Sequence, residues 1–261
     1  MKNIESTDII DTHVHLEEIE NLDEVLVKAK QAGIVMLIAV GSDYASNKRI
    51  IELLEKIKII KIYPALGIHP TNIKYDELEL TLKFIEDNIS QIVAIGEIGL
   101  DYWFKSVEKN QNERQIQSKV FELQLELAKK YSKPVIVHSR GAWQECYELV
   151  KNKNIEKAVF HWYSGSIDVL NKIIQAGYFI SATPALEYSP QHRSAIDCSP
   201  IENILVETDS PVRYKTSTGE IYIAEPKDVL RTLKSLSSIK NIEFNELVNI
   251  TTQNAKRLFN I

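Results

Sequence analysis

The stretch DIIDTHVHLEEIENLDEVLVKAKQAGIVMLIAVG, residues 8–41, carries the fold in miniature. An apolar run with a polar tip, Asp8 to His15, leads into a helix-period segment, Leu22 to Gln31, which Gly33 stops. A second apolar run, Ile34 to Val40, ends at Gly41. These runs are continuous in Ile, Val and Ala rather than alternating, as expected for parallel strands covered by helices. The same unit recurs along the chain. Strand-like runs at Ile59 to Gly67, Gln91 to Glu97, Pro134 to Ser139, Ala158 to Trp162, Tyr178 to Ala182 and Asn203 to Thr208 alternate with helical segments. The helices are expected at Ser46 to Lys58, Tyr75 to Ile89, Asn112 to Tyr131, Ala142 to Lys151 and Ile167 to Gln175. On the longest, Ile116, Val120, Leu123 and Leu127 mark one apolar stripe. A poorly patterned segment, Gln191 to Ile196, stands where the seventh helix belongs, and helices near Pro226 to Ser237 and Asn245 to Leu258 finish the chain. Eight strand–helix repeats in 261 residues, with no second hydrophobic system, indicate one TIM (β/α)8 barrel domain over 1–261. A doubly wound open sheet is the competing architecture, but no G-x-G-x-x-G follows the first strand. Ser210 to Ala224 is irregular and reads as an active-site loop.

Composition narrows the partners. The formal net charge of −5 is no basis for coating duplex DNA, which needs a basic face. A phosphate-bearing substrate must instead be drawn in locally, by metals and a few cations. No apolar run is long enough to span a membrane, and Met1 to Glu5 leads straight into a strand without the apolar core of a signal peptide. Of the two cysteines, Cys146 falls on a helix as a core residue and Cys198 in a turn. With no disulfide framework, the expectation is a cytoplasmic protein without membrane contact or an obligate protein partner.

Ionisable residues gather at strand ends. His13 and His15 are two apart on a strand and so face one side together. Alone, the pair reads as metal ligands or as two hydrogen-bonded structural histidines. The other tips carry Glu97 in Gly96 to Tyr102, His138 in His-Ser-Arg140, His161 in His161 to Gly165, and Asp209 in Glu207 to Pro211. In a parallel barrel those tips converge on one mouth. Four imidazoles and two carboxylates there suit Zn²⁺, Mn²⁺ or a similar divalent ion. One catalytic ion needs three or four protein ligands, so six candidates suggest two ions with Glu97 bridging.

At these residues the chain resembles the TatD family of metal-dependent hydrolases, a branch of the amidohydrolase superfamily. The resemblance runs through Asp11-Thr-His-Val-His-Leu16, Gly67-Ile-His-Pro70, Gly96-Glu-Ile-Gly-Leu-Asp-Tyr102, Arg114-Gln115 with Phe121 and Gln124, Pro134 to Arg140, His161 to Gly165, Glu207-Thr-Asp-Ser-Pro211, and Asn254 with Arg257-Leu-Phe259. It implies a TIM barrel and metal-dependent phosphodiester cleavage, typically by a deoxyribonuclease acting from a 3′ end on single strands. It also implies two divalent ions (Mg, Mn or Zn): one on His13, His15, Glu97 and Asp209, the other on Glu97, His138 and His161. His69 would lie near the scissile phosphate. Two departures concern the substrate. Thr218 to Ala224 precedes Glu225-Pro226 where relatives commonly carry Arg or Lys, and Gly141 stands where Asp is usual.

From the residues themselves, Asp209 can accept the proton of an attacking water. His69 and Arg140 are expected to contact the phosphate, with a salt bridge from Arg140 to Asp101 or Glu207 as the alternative. Asp11 and Glu207 read as groups that orient ligands from behind. Trp103, Trp162 and Tyr163 could stack on a base, or simply pack. His192 matches no motif and reads as a surface histidine. Two other functions stand beside the nuclease: an amide or ester hydrolase with the same metals, for example on aminoacyl esters, and a non-catalytic scaffold.

Overall fold

Side chains of each apolar run separate to the two faces of a strand, and both faces are covered. The computed structural model describes residues 8–261, so the expected passage of Met1 to Glu5 into a strand lies outside the described residues. Eight parallel strands pair in chain order: β1 (Ile9–Val14), β2 (Ile34–Val40), β3 (Lys61–Leu66), β4 (Ala94–Gly99), β5 (Val135–His138), β6 (Ala158–Phe160), β7 (Phe179–Ala182) and β8 (Ile204–Val206). Between and after them run α1 (Leu22–Gln31), α2 (Tyr44–Lys56), α3 (Leu78–Asp87), α4 (Gln111–Lys130), α5 (Trp143–Asn152), α6 (Ile167–Gln175), α7 (Pro190–Cys198), α8 (Val229–Lys240) and α9 (Phe244–Phe259). Ile10, Ile38, Val40, Ala65, Ala94, Ile136, Val159 and Leu205 fill the barrel interior, while Ile9, Leu37, Ala39 and Val137 pack outward under the helices. That division explains the continuous apolar runs. Leu258 and Phe259 of α9 join the interior cluster and plug the barrel at the strand starts.

The seam between β8 and β1 is closed by the residues that follow β8. Asp209 N donates to His13 O at 3.0 Å and His15 N to Ser210 O at 2.9 Å. The Asp11 carboxylate accepts Thr208 N at 3.0 Å and Thr208 Oγ1 at 2.6 Å, binding the two strand ends together. The barrel therefore closes through the motifs that hold the site.

Four sequence expectations change. The buried face of α4 is Gln117, Val120, Phe121, Gln124, Leu125 and Ala128; Ile116, Leu123 and Leu127 lie half-buried on its flank. Two satisfied glutamines occupy the inner face, so counting apolar residues rotated the stripe. The weakly patterned seventh segment is a true helix, started by Ser189, whose hydroxyl accepts His192 N, and by Pro190 at the first position. His192 on it is fully buried rather than at the surface. Its Nε2 accepts Thr183 N at 3.1 Å and its Nδ1–H donates to Tyr163 O at 2.8 Å, joining the ends of β7 and β6. Finally, the expected irregular loop contains an antiparallel hairpin, β9 (Arg213–Lys215) with β10 (Ile221–Ile223). Among the described residues no helix is long and apolar enough to cross a membrane.

Candidate metal centre

The tip of β1 supplies two imidazoles on one side, His13 fully buried and His15 partly exposed, with Nε2 atoms 3.3 Å apart. Glu97 of β4 meets them with Oε2, at 3.3 Å from His13 Nε2 and 3.6 Å from His15 Nε2. Asp209, just beyond β8, brings Oδ1 to 3.5 Å from each of the same two nitrogens. Its backbone lies in the left-handed region at φ 51°, a conformation that strand ends at functional sites tolerate because the surroundings fix it. Four ligand atoms about 2.1 Å from one tetrahedral ion sit about 3.4 Å from each other. The five separations at this subsite match that spacing, so its residues fit a divalent ion.

The other oxygen of Glu97 faces a second imidazole pair. Oε1 is 2.6 Å from both His138 Nδ1 and His161 Nε2, which are 3.3 Å apart. Both imidazoles lie within hydrogen-bonding distance of that carboxylate oxygen, and an ion bound there would take the place of the shared protons. Burial opposes charge on His15, His138 and His161, yet Asp209 and Glu97 beside His15, Glu97 and Asp101 beside His138, and Glu97 and Glu207 beside His161 hold all three above the ordinary imidazole value. In the same way burial would raise Glu97 and Asp209, but the surrounding histidines, His161 foremost for Glu97 and His15 for Asp209, hold both below their usual range.

Behind the imidazoles stand further carboxylates. Glu207 serves two rings: Oε2 lies 3.7 Å from His13 Nδ1 and Oε1 3.4 Å from His161 Nδ1, buried atoms with no other partner. Asp101 accepts from His138 Nε2 at 3.2 Å and takes the Arg140 guanidinium at 2.8 Å. Burial pushes the Asp101 acid up, but the His138 and Arg140 contacts hold it at about 2. Of the two partners considered for Arg140, the structure selects Asp101. Glu17, 3.9 Å from His15 Nδ1, is buried with neither oxygen hydrogen-bonded, and burial raises it to about 7. Asp11 departs from expectation. Its carboxylate meets the backbone of His13 and Thr208, not an imidazole, and so fixes the strand ends rather than a ring. Sequence reasoning gave Asp101 no orienting role and passed over Glu17; their position two residues beyond Gly99 and two beyond His15, at ligand-bearing tips, was the available signal.

His69 also reaches the centre, with Nε2 3.5 Å from Glu97 Oε1 and its ring edge-on to His138. Thr71 N donates to its Nδ1 at 3.2 Å and Thr71 Oγ1 lies 2.7 Å from the same atom, so Nδ1 is engaged by Thr71 and Nε2 faces the centre, where His69, Glu97 and His138 lie close enough to share an ion. Burial keeps the ring below the usual imidazole value, hence neutral. The loop bearing it is pinned by α4. Gln124 exchanges two hydrogen bonds with the Ile68 backbone, and Gln117 joins Pro70 O to Asp101 N. Gln117 was invisible in the sequence because its partners are backbone atoms 16 and 47 residues away.

These groups floor a cavity of about 660 Å³ at the strand C-terminal ends, lined also by Arg140, Trp103, Trp143 and Trp162. Tyr163 does not belong to it. The ring is fully buried and its hydroxyl donates to Ser166 O at 2.7 Å, so the expected stacking of Tyr163 on substrate is excluded. Cys146 is buried as expected, while Cys198 is exposed at the end of α7.

Known proteins match nearly the whole chain. The family profile described as TatD related DNase matches residues 10–260. Deoxyribonuclease TATDN3 of Homo sapiens is 31% identical over 266 residues, covering 96% of this chain and 94% of that protein. A metal-dependent hydrolase of Methanocaldococcus jannaschii is 30% identical over 255 residues, with 96% of each chain covered. The crystal structure of a TatD homolog from Escherichia coli, 26% identical, superposes with a TM-score of 0.87 over 98% of this chain and 99% of the other. With its barrel, its strand-tip histidines and these relatives, the chain belongs to the TatD-related DNase family.

Proposed function

We propose that the protein is a metal-dependent deoxyribonuclease that binds two divalent ions, Mg, Mn or Zn, and hydrolyses phosphodiester bonds at the 3′ ends of single-stranded DNA. One observation carries the reading: the two oxygens of Glu97 face two different imidazole sets, His13 with His15 and His138 with His161. A bridging carboxylate between two ions needs that disposition. His13, His15, Glu97 and Asp209 would hold one ion, and Glu97, His138 and His161 the other. Ions bound there supply an acidified water and a neutralised phosphoryl oxygen. The remaining work belongs to the side chains. Asp209, at the rim of the first subsite, accepts the proton of the attacking water. His69 donates its Nε2–H to a non-bridging phosphoryl oxygen, where charge grows in the transition state. Arg140, oriented by Asp101 and lining the cavity, contacts the adjacent phosphate. Trp162, half-buried on the cavity wall against Tyr214, packs against the substrate.

The test is incubation of purified protein with end-labelled single-stranded DNA and Mg²⁺, Mn²⁺ or Zn²⁺. Stepwise release of 5′-mononucleotides from the 3′ end is expected, abolished by chelation, by His138→Ala and by Asp209→Asn. Protein that leaves every form of DNA intact while hydrolysing esters or amides would transfer the same centre to the alternative substrate class.

A further inference from the structure

Above the metal centre the cavity carries an aromatic wall that the chemistry described so far does not use. Trp103 follows β4 and is 61% exposed, a large value for an indole that lines a cavity. Its backbone is fixed, since Trp103 N donates to Asp101 Oδ1 at 3.1 Å, on the same carboxylate that holds His138 and Arg140. Trp143, the first residue of α5, meets it edge-to-face at 5.4 Å and 90°.

Two glycines make room for this pair. A Cβ on Gly141 would lie 2.5 Å from Trp103 Cδ1, and Gly141 already has φ +73°. A Cβ on Gly165 would lie 2.6 Å from Trp143 Cγ and 2.6 Å from Tyr163 Oη. Any side chain at 141 therefore displaces the Trp103 indole, which accounts for glycine in the loop after His138. An indole seated by its neighbours yet left largely open to solvent loses little entropy when a flat ligand covers it.

We infer that Trp103, with Trp143 braced against it, is a base-stacking platform that holds a nucleobase flanking the scissile phosphate. The inference rests on the nuclease reading above and names the part of the substrate that this wall recognises. Every base has a π-face, so such a platform binds single strands without sequence preference. It also needs an unpaired base, and so favours single strands or frayed ends over duplex. The contact supplies affinity that an acidic chain cannot obtain from phosphate charge.

The experiment compares a single-stranded pentathymidylate with an oligomer of the same phosphates in which three-carbon spacers replace the nucleosides beside the cut. Trp103→Ala is expected to raise KM for the base-bearing strand by about tenfold to a hundredfold, with kcat little changed. Trp103→Phe should retain most of the affinity, and Gly141→Ala should reproduce the loss. On the base-free oligomer the variants and the parent should coincide. Quenching of tryptophan fluorescence by pentathymidylate in the presence of chelator gives a readout without turnover, expected to shrink in Trp103→Ala. Equal KM values for the parent and Trp103→Ala on the base-bearing strand, in an enzyme that cleaves it, would overturn the platform and leave the nuclease reading intact. A parent that cleaves neither oligomer overturns both.

Discussion

Replacing Glu207 by Gln removes one charge, keeps the shape, and should disable one metal subsite rather than both. With ions bound, each ring would point its Nδ1 proton at Glu207, whose Oε1 lies 3.4 Å from His161 Nδ1 and Oε2 3.7 Å from His13 Nδ1, and its Nε2 lone pair at the centre. A glutamine offers one oxygen and one NH₂. Trp162 N donates to Oε1 at 3.2 Å, which keeps the amide oxygen on the His161 side and turns the NH₂ toward His13. To accept from it, His13 must move its proton to Nε2, the nitrogen that faces Glu97 and Asp209, and it then cannot bind an ion. Loss of such an orienting partner typically costs tenfold to a hundredfold in metal affinity, about 1.4–2.8 kcal/mol. Titration of the apoprotein against a competing chromophoric chelator, with the bound metal counted by elemental analysis, should show one equivalent weakened by that amount and one nearly unchanged. Two equivalents with parental affinity would refute the reasoning about the tautomer, and equal weakening of both would refute the placement of the amide.

Three other outcomes follow from the geometry. In metal-free protein the raised values of His15, His138 and His161 contribute stability that is present below 6.5 and lost as pH rises through them; the lowered Glu97 and Asp209 contribute stability that is present above 4.5 and lost on acidification. The Tm of chelated protein should thus peak between those limits and fall toward pH 9, while metal-loaded protein holds its Tm, as differential scanning calorimetry would record. His192→Ala leaves Thr183 N and Tyr163 O buried without partners and should cost about 2–4 kcal/mol, read as a lower midpoint in urea, whereas a surface histidine would cost almost nothing. Because Arg140 is the cation placed on the cavity wall beside the centre, log KM for single-stranded DNA should depend weakly on log salt, with a slope of about 1; a slope above about 3 would require a cationic groove.

The repeat of apolar run and helix was legible because a parallel barrel buries both faces of every strand, and the six ligand-type residues were legible because a strand tip is a position that sequence alone can mark. What escaped was set by partners remote in the chain. Gln117 and Gln124 lie on the inner face of α4 because they hydrogen-bond the loops carrying His69 and Asp101. His192 is buried for the same reason, its two nitrogens matched by a donor and an acceptor on β7 and β6 tips. Tyr163 and Trp162 are adjacent, yet one points into the core and the other lines the cavity, because the left-handed backbone at Trp162 (φ 42°) turns the chain between them. Polar side chains buried with their partners look, in a sequence, like surface residues.

Charge balance ties the acidic chain to its anionic substrate. Asp101 pairs with Arg140, which leaves Glu97, Asp209 and Glu207 as the buried carboxylates that face the imidazoles. Without ions, the carboxylates hold His15, His138 and His161 above the ordinary imidazole value, and protons there offset their charge. In the proposed centre two divalent ions would contribute four positive charges, enough to offset three such carboxylates and one phosphodiester. On that reading attraction for phosphate concentrates at the loaded centre and at Arg140, and a net charge of −5 offers no general attraction for the rest of the strand. Under the proposed nuclease reading, a strand end would place its terminal phosphodiester in the cavity and draw further affinity from uncharged contacts such as the indole wall at Trp103. Duplex-coating nucleases solve the opposite problem, spreading positive charge along a groove; here the seam that closes the barrel and the charge that receives the substrate occupy the same few residues.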